Sequence, residues 1–369
     1  MSSVLGEGAY GLVTKRNGRA VKKFKRINSL VQEYIASKYL RSCEFIVDAY
    51  DANYKDLEME MELFDGSLRD YLNDHGFHYD TRMLILKHIL YALIDIHGRG
   101  VVHGDLKCGN ILVNTKPMRV VLGDLGFVSV SKFAKCERTA AIYRDPVVIR
   151  APSHDIFSFG IIFIEMIGRA GIKKQYSYEE LQNMAANKLT GHTQRDAILA
   201  CVHAKHDKRP TASYLLKHLF HEDRVYTKVP YDLTMDFKVC EKEQLEIRRV
   251  IQKTAEDYKI SRSRIGYIVV LYCLTVYQPS SDTHMLWIGT VLLVLSAIFG
   301  KSGFREEAVI SFCEHRFSKK DIYNTLDKIC QNTAVVDMLM ESNTSNTEPS
   351  YQSHKSHKTH KSHKSNKKN

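Results

Sequence analysis

The sequence predicts an α+β protein that begins with strands, continues with helices, and ends in an all-α region and a disordered tail. Three observations carry this prediction. Residues 12–24 alternate around an Asn17-Gly18 turn, which is typical of a β-hairpin. Residues 81–97 carry apolar side chains at helical spacing. Residues 342–369 repeat serine, histidine and lysine with almost nothing apolar to bury, so we expect them to be disordered.

The hairpin opens with a glycine-rich segment, Leu5-Gly-Glu-Gly-Ala-Tyr-Gly-Leu-Val13. Glycines at this spacing let a backbone close over phosphates without a side chain in the way. Taken alone the pattern is weak, because a dinucleotide-binding turn has much the same spacing. A dinucleotide site needs a strand before the glycines and a helix after them, whereas here a strand and a hairpin turn follow. The context therefore favours a hairpin that covers phosphates.

The returning strand, residues 19–24, carries a candidate phosphate-binding lysine. Side chains alternate along a strand, so Ala20 and Lys22 share one face, and we expect Lys23 on the other face to be solvated. A helix is predicted over residues 29–40, and its Glu33 lies eleven residues after Lys22. A lone glutamate of this kind is normally a solvated carboxylate on a helix face.

The most informative segment is His103-Gly-Asp-Leu-Lys-Cys-Gly-Asn110, followed by Asp124-Leu-Gly126. Phosphoryl transfer needs a carboxylate at the incoming hydroxyl, a cation on the γ-phosphate and two ligands for magnesium. The chain supplies these groups in that order: Asp105, Lys107, Asn110 and Asp124. Both runs resemble the catalytic loop and the metal-binding turn of the eukaryotic-type protein kinases.

The resemblance implies a bilobal fold, with a small β-rich lobe at 1–63 and a large helical lobe at 64–222, that uses ATP and Mg²⁺ to phosphorylate a protein substrate. Asp105, Lys107 and Asn110 would be catalytic, and Asn110 and Asp124 would bind the metal. A lysine two residues after the catalytic aspartate favours Ser/Thr over Tyr substrates in this family.

The resemblance also implies a nucleotide site. Lys22 would bind the α- and β-phosphates and Glu33 would hold it. Met61 would guard the back pocket, while Glu62 and Leu63 would offer backbone groups to adenine. The implied nucleotide-binding residues are Leu5, Gly6, Gly8, Gly11, Val13, Ala20, Lys22, Glu33, Met61 and Leu63.

Three later segments extend the resemblance to about residue 222. Residues 139–146 resemble the end of the activation segment, in the Tyr-Arg-x-Pro form of cyclin-dependent and related kinases. Asp155-Ile-Phe-Ser-Phe-Gly160 resembles a helix start whose aspartate binds the catalytic-loop backbone. Residues 206–220 resemble the final helix of the large lobe.

Two departures from the family pattern concern how the activity of the kinase is regulated. Gly104 replaces the arginine that usually grips a phosphate on the activation segment. Asp145-Pro146-Val147 replaces Ala-Pro-Glu, so the glutamate that normally pairs with Arg209 is absent. Neither change removes a catalytic or metal-binding group, so we expect an active enzyme that is switched differently. The alternative is a catalytically weak pseudokinase that serves as a scaffold.

Beyond a linker at 223–242, the second half contains two apolar runs, 265–277 and 285–299. Each is shorter than the ~20 residues that span a bilayer, which favours core helices over a membrane hairpin. The pattern over 243–338 resembles the cyclin box, a five-helix bundle, which implies an intramolecular contact that regulates the kinase. The lysine and glutamate that cyclins present to their kinase are His284 and Gly300 or Lys301 here.

Charge and cysteine usage bear on compartment and partners. The net charge of the 369 residues is +11, but the tail supplies five of these charges, so no specific nucleic-acid partner is predicted. Eight scattered cysteines without a zinc-like spacing are typical of a reduced compartment. The glycine-rich segment begins within five residues of the N-terminus, which leaves no room for a signal peptide. We therefore expect an intracellular protein, cytoplasmic or nuclear, with a disordered tail at 339–369.

Overall fold

The computed structural model describes residues 3–8, 11–74, 78–128, 141–146, 151–224, 226, 239–260, 263–298 and 304–340. The Ser-His-Lys repeats of the predicted tail, and most of the predicted linker, lie outside these residues. The seven cysteines among them are all free thiols.

The small lobe is an antiparallel sheet in the order β1-β2-β3-β5-β4. Its strands are β1 (Ser3–Gly8), β2 (Gly11–Arg16), β3 (Arg19–Phe24), β4 (Ala49–Asn53) and β5 (Glu58–Met61). Asn17 and Gly18 adopt positive φ angles of 51° and 75°, the geometry that a two-residue hairpin with right-handed twist requires. Val13 pairs with Lys22 across this hairpin. The predicted hairpin is confirmed.

Helix α1 (Ile27–Tyr39) packs behind this sheet and is buried on almost every side. Its buried residues are Ile27, Leu30, Val31, Glu33, Tyr34, Ile35, Ala36, Ser37 and Tyr39. A helix with a single covered face shows one apolar stripe, so burial all round indicates a second packing partner.

The large lobe is built around two buried helices, α3 (Tyr79–Gly98) and α4 (Pro152–Met166). A small antiparallel sheet lies beside them and carries the catalytic loop, with strands β6 (Gly66–Ser67), β7 (Ile111–Thr115) and β8 (Met118–Leu122). The remaining helices of this lobe are α2 (Leu68–Asp74), α5 (Tyr178–Lys188), α6 (Arg195–Cys201) and α7 (Ala212–Phe220).

The described residues after α7, 222–224 and 226, contact α3 and are here called the strap. Glu222 accepts a 2.9 Å bond from Lys87, and Arg224 makes bonds of 2.8 and 3.1 Å to Asp95. Tyr226 lies against Gly98 and stacks on the guanidinium of Arg99. Glu222, Arg224 and Tyr226 therefore all contact residues of α3 or its C-terminal end.

The regular elements that the structure describes in the C-terminal region are all helices. Its helices are α8 (Glu241–Asp257), α9 (Ser263–Tyr277), α10 (His284–Ile298), α11 (Glu306–Phe312), α12 (Lys319–Gln331) and α13 (Thr333–Met340). Helix α13 was not predicted as a separate helix, and it extends past the predicted boundary of the region at 338.

Helix α10 is the core of this region, and its residues 286–298 are all buried. Among the described residues, one stretch, Ser281–Ile298, has the length and hydropathy of a membrane span, and 72% of it is buried inside the fold. The core helix of a water-soluble bundle has the same composition, and this burial supports that interpretation of the apolar runs.

The second packing partner of α1 is the helical region itself, through α10, α12 and α13. The Asn28 amide donates to the Phe304 carbonyl at 3.2 Å, and the Gln331 amide donates to the Tyr34 hydroxyl at 3.1 Å. Helix α1 therefore lies between the small-lobe sheet and the helical region.

Candidate active site

Lys22 lies at the centre of a buried group of three charges. Its ammonium is 2.8 Å from both carboxylate oxygens of Glu33 and 2.8 Å from Oδ1 of Asp124. The strand alternation that separates Lys22 from Lys23 is observed, since Lys22 is buried and Lys23 is exposed. Strand β3 therefore delivers the lysine, α1 delivers Glu33, and the chain after β8 delivers Asp124.

The pKa values of the two carboxylates in this group shift in opposite directions. Burial opposes a charge on Lys22, but Glu33 and Asp124 outweigh it and raise the lysine's pKa. Burial raises the pKa of Glu33 to about 7, against the pull of Lys22. Burial acts on Asp124 in the same direction, but Lys22 outweighs it and lowers the Asp124 pKa. The ammonium is therefore fixed in its charged form, as a phosphate ligand must be.

The catalytic loop brings three predicted residues together. The Lys107 ammonium is 2.6 Å from Oδ2 of Asp105. The Asn110 amide donates to the Asp105 carbonyl at 2.8 Å and to its Oδ2 at 3.0 Å. Both N–H groups of Asn110 thus fix Asp105, which leaves the amide oxygen of Asn110 for a cation.

Asp155, at the start of α4, holds the backbone of this loop through its carboxylate. Its carboxylate accepts bonds of 2.9 Å from the backbone N–H groups of His103 and Gly104 and lies 2.9 Å from Nε2 of His97. Gly104 has a φ of +78°, which a residue with a side chain adopts only under strain. The glycine that replaces the family's arginine therefore also suits the backbone.

Asp124 has a left-handed backbone, with φ 56° and ψ 68°, which turns its carboxylate toward Lys22. The Asp124 carboxylate and the Asn110 amide are hard oxygen donors of the kind Mg²⁺ prefers, so the residues fit this metal. Among the described residues, no group of three or more His, Cys, Asp or Glu side chains is placed to hold a metal ion.

The adenine side of the cleft is formed by β3 and the end of β5. Ala20 and Met61 are buried and pair across these strands. The Glu62 N–H donates to the Asp48 carbonyl at 3.0 Å, so a bond from Glu62 to adenine would use its carbonyl. Leu63 follows at the exit of the strand and is partly buried.

The glycine-rich segment lies in β1 and β2, and its turn lies outside the described residues. A Cβ on Gly11 would lie 2.0 Å from the Lys23 carbonyl oxygen, so only glycine fits there, whereas Gly6 has open space. Leu5 and Gly6 on β1 are exposed, and Val13 on β2 is partly buried. Gly8 pairs with Gly11 across these strands.

Comparison with known proteins decides the family. The model of the protein kinase domain matches residues 1–221, more than half of the chain. The chain belongs to the protein kinase family. Similar kinases include the probable serine/threonine-protein kinase mkcE of Dictyostelium discoideum, which is 28% identical over 227 residues, covering 53% of this chain and 30% of that protein.

Two further relatives are similar at a comparable level of identity. The serine/threonine-protein kinase sid1 of Schizosaccharomyces pombe is 28% identical over 250 residues, 58% of this chain and 52% of sid1. The probable serine/threonine-protein kinase zyg-1 of Caenorhabditis elegans is 30% identical over 188 residues, 44% of this chain and 26% of zyg-1. The chain matches about half or less of the length of these relatives.

One departure of this kinase from its family proves to be compensated. Although the usual glutamate is absent, Arg209 has a buried carboxylate partner, Asp145, two residues before the expected position. The replacement could not be recognised from the sequence, because Asp145 lies between the partly buried Arg144 and the exposed Pro146 in a segment with mixed burial.

Proposed function

We propose that this kinase transfers the γ-phosphate of ATP to serine or threonine hydroxyls of protein substrates, under control of its own helical region. The observation that supports catalysis best is the joined Lys22–Glu33–Asp124 group beside an ordered Asp105–Lys107–Asn110 loop. A pseudokinase that had decayed would be expected to lose one of these groups.

The residues divide the transfer step among them. The substrate oxygen forms a bond to the γ-phosphorus while the bond from that phosphorus to the bridging oxygen of ADP breaks, and the hydroxyl proton passes to the Asp105 carboxylate. Lys107, 2.6 Å from that carboxylate, balances charge on the moving phosphoryl group. Lys22 orients the other phosphates. Mg²⁺ held by Asn110 and Asp124 would neutralise phosphate charge.

A phosphotransfer assay on the purified full-length protein tests this proposal. With Mg²⁺, labelled ATP and a generic basic protein substrate, the wild type should label Ser or Thr. Asp124→Asn should reduce the rate by at least ~10²–10³-fold, roughly 3–4 kcal/mol of barrier. Asp196→Asn is the matched control, since that side chain is 91% exposed and remote in the fold. Equal rates for wild type and Asp124→Asn would refute catalysis and favour a scaffold.

The helical region is proposed to act as a cyclin-like regulator in cis. Its contact with α1, the helix that carries Glu33, supports this idea, because a held helix favours the joined Lys22–Glu33 pair. Tethering gives the two parts an effective concentration of about millimolar, so a contact lacking the usual cyclin residues can still form.

Truncation separates this regulation from catalysis. A chain ending at about residue 235 should be folded but at least several-fold less active, and the helical region added in trans should restore part of the loss. Since ~1.4 kcal/mol corresponds to a tenfold change in an equilibrium, a modest interface is sufficient. A chain ending at 340, which lacks only the tail, is the control. Full activity of the shorter chain would contradict the proposal.

We also propose an intracellular location for the kinase. Cell fractionation tests it against the membrane-hairpin alternative, for which the 265–299 segment would anchor the chain. Full-length protein should remain in the supernatant, and a carbonate-resistant pellet would refute the cyclin-like interpretation and a location free in the cytoplasm or nucleus.

A further inference from the structure

A first buried network joins the end of the activation segment to the catalytic loop. The Arg69 guanidinium, on α2, binds Glu165 of α4 through bonds of 2.7 and 3.1 Å and also donates to the Tyr143 hydroxyl. Tyr143 in turn donates to Glu165 at 2.5 Å, and the Cys108 thiol donates to the same carboxylate at 3.3 Å. Four elements of the large lobe therefore meet at one carboxylate, that of Glu165.

This network leaves little freedom to its members. Cys108 is fully buried and the Glu165 side chain is only 7% exposed, so solvent cannot replace a missing donor. Burial and the neighbouring Cys108 and Glu165 raise the pKa of Tyr143, which keeps its hydroxyl protonated as a donor. The Ser158 hydroxyl also holds the Tyr143 carbonyl at 3.0 Å. Tyr143 is thus fixed through both its side chain and its backbone.

A second network holds the residue two positions further on. The Asp145 carboxylate pairs with Arg209, accepts a 2.5 Å bond from the Tyr178 hydroxyl and lies 3.4 Å from Nε2 of His154. The side chains of Asp145 and Arg209 have no exposed surface. Arg209 is itself fixed, because it donates to the carbonyls of His203 at 2.9 Å and Ser153 at 3.0 Å.

We propose that these two networks hold the end of the activation segment, residues 141–146, against the catalytic loop without a phosphate. Arg69 and Asp145 are then positioning residues, which act through Tyr143 and Arg209 rather than on the substrate. Gly104 cannot bind a phosphate through a side chain, so the tie must come from elsewhere, and these charges supply it within the chain. This inference rests on the proposed kinase activity.

The position of the first network predicts which kinetic constant responds. Cys108 lies three residues after Asp105, so a loosened network disturbs the catalytic loop and the adjoining substrate surface. Lys22 and the glycine-rich hairpin belong to the other lobe and should keep their contacts with ATP. Loss of Arg69 should therefore affect the protein substrate more than ATP.

The test compares Arg69→Met and Arg69→Lys with the wild type, all full-length and treated with phosphatase, and with the double variant Ser129→Ala/Ser131→Ala. The two serines lie outside the described residues. The wild type and the serine variant should keep their activity within twofold after phosphatase treatment. Arg69→Met should lower kcat/KM for the protein substrate by at least tenfold with less than threefold change in KM for ATP. Arg69→Lys should fall between them, because lysine cannot make the two-pronged contact.

Hydrogen exchange supplies a readout that does not need activity. Backbone amides of 141–145, which precede Pro146, should be protected in the unphosphorylated wild type and exchange at least tenfold faster in Arg69→Met. Loss of activity on phosphatase treatment, unprotected amides in the wild type, or equal effects on both substrates would overturn the inference. An inactive wild type with protected amides would instead refute the kinase activity and leave the structural tie supported.

Discussion

The contact between Gly98 and Tyr226 predicts that Gly98→Ala lowers stability while the Tyr226 side chain is present and raises stability once that side chain is removed. A Cβ added at Gly98 would lie 2.5 Å from Cβ and Cδ1 of Tyr226 and 2.6 Å from its Cγ. Ordinary contact begins near ~3.4 Å, so the strap would have to move by about 1 Å, an overpacking that costs ~1–3 kcal/mol. Alanine in place of a helical glycine otherwise stabilises by roughly 0.5–1 kcal/mol.

Gly98→Ala should therefore destabilise the wild type but stabilise the Tyr226→Gly variant, which lacks the clashing Cβ as well as the ring, by roughly 0.5–1 kcal/mol. Urea unfolding of the four proteins in this cycle measures the coupling, which we expect to be about 1–3 kcal/mol. As a control, Gly98→Ala is combined with Tyr214→Ala, because Tyr214 lies at an exposed position on α7. Gly191 is not a suitable control for Gly98, because its φ of +79° would itself strain an alanine. Additive effects within ~0.5 kcal/mol would refute the packing argument, and with it the strap.

Two further predictions concern the catalytic loop. Gly104→Ala should lower the stability by about 1–3 kcal/mol, since φ is +78° there, and an unchanged Tm would contradict this. The pKa of Asp155 lies below its usual value of 3.8, because the bond from His97, the charges of His97 and His103, and the Gly104 N–H together outweigh burial. A carboxyl with a lowered pKa stabilises the fold above its usual pKa, and this contribution is lost as the pH falls through the folded value. The difference in unfolding free energy between wild type and Asp155→Asn should therefore shrink below pH 3.8, and a pH-independent difference would contradict it.

The β-hairpin and the face of its phosphate-binding lysine could be predicted from short-range patterns in the sequence. The Asn17-Gly18 turn determines the register of β2 and β3, and that register decides between Lys22 and Lys23. This step depends on residues a few positions apart, where chain geometry alone limits the outcomes. The pairing of Glu33 with the same lysine was implied only by the resemblance to protein kinases, because the local pattern favours a solvated carboxylate.

Long-range charge pairs could not be foreseen in this way. Arg69 and Glu165 are 96 residues apart, and Asp145 and Arg209 are 64 apart, so no local period connects them. Helix α13 was missed for a different reason, because its eight residues follow α12 after a single residue and adjoin the polar tail. Its apolar residues pack against α1, and this long-range contact is visible only in the folded structure.

The burial of α1 on both faces has a consequence for synthesis at the ribosome. The Asn28–Phe304 contact joins residues 276 positions apart. At ~5–20 residues per second, α1 waits roughly 14–55 s for the residues that cover its outer face. During that interval the nascent small lobe presents apolar surface to the solvent, where binding by chaperones competes with aggregation. Codon choice and chaperone supply in an expression host should therefore influence the yield of this kinase.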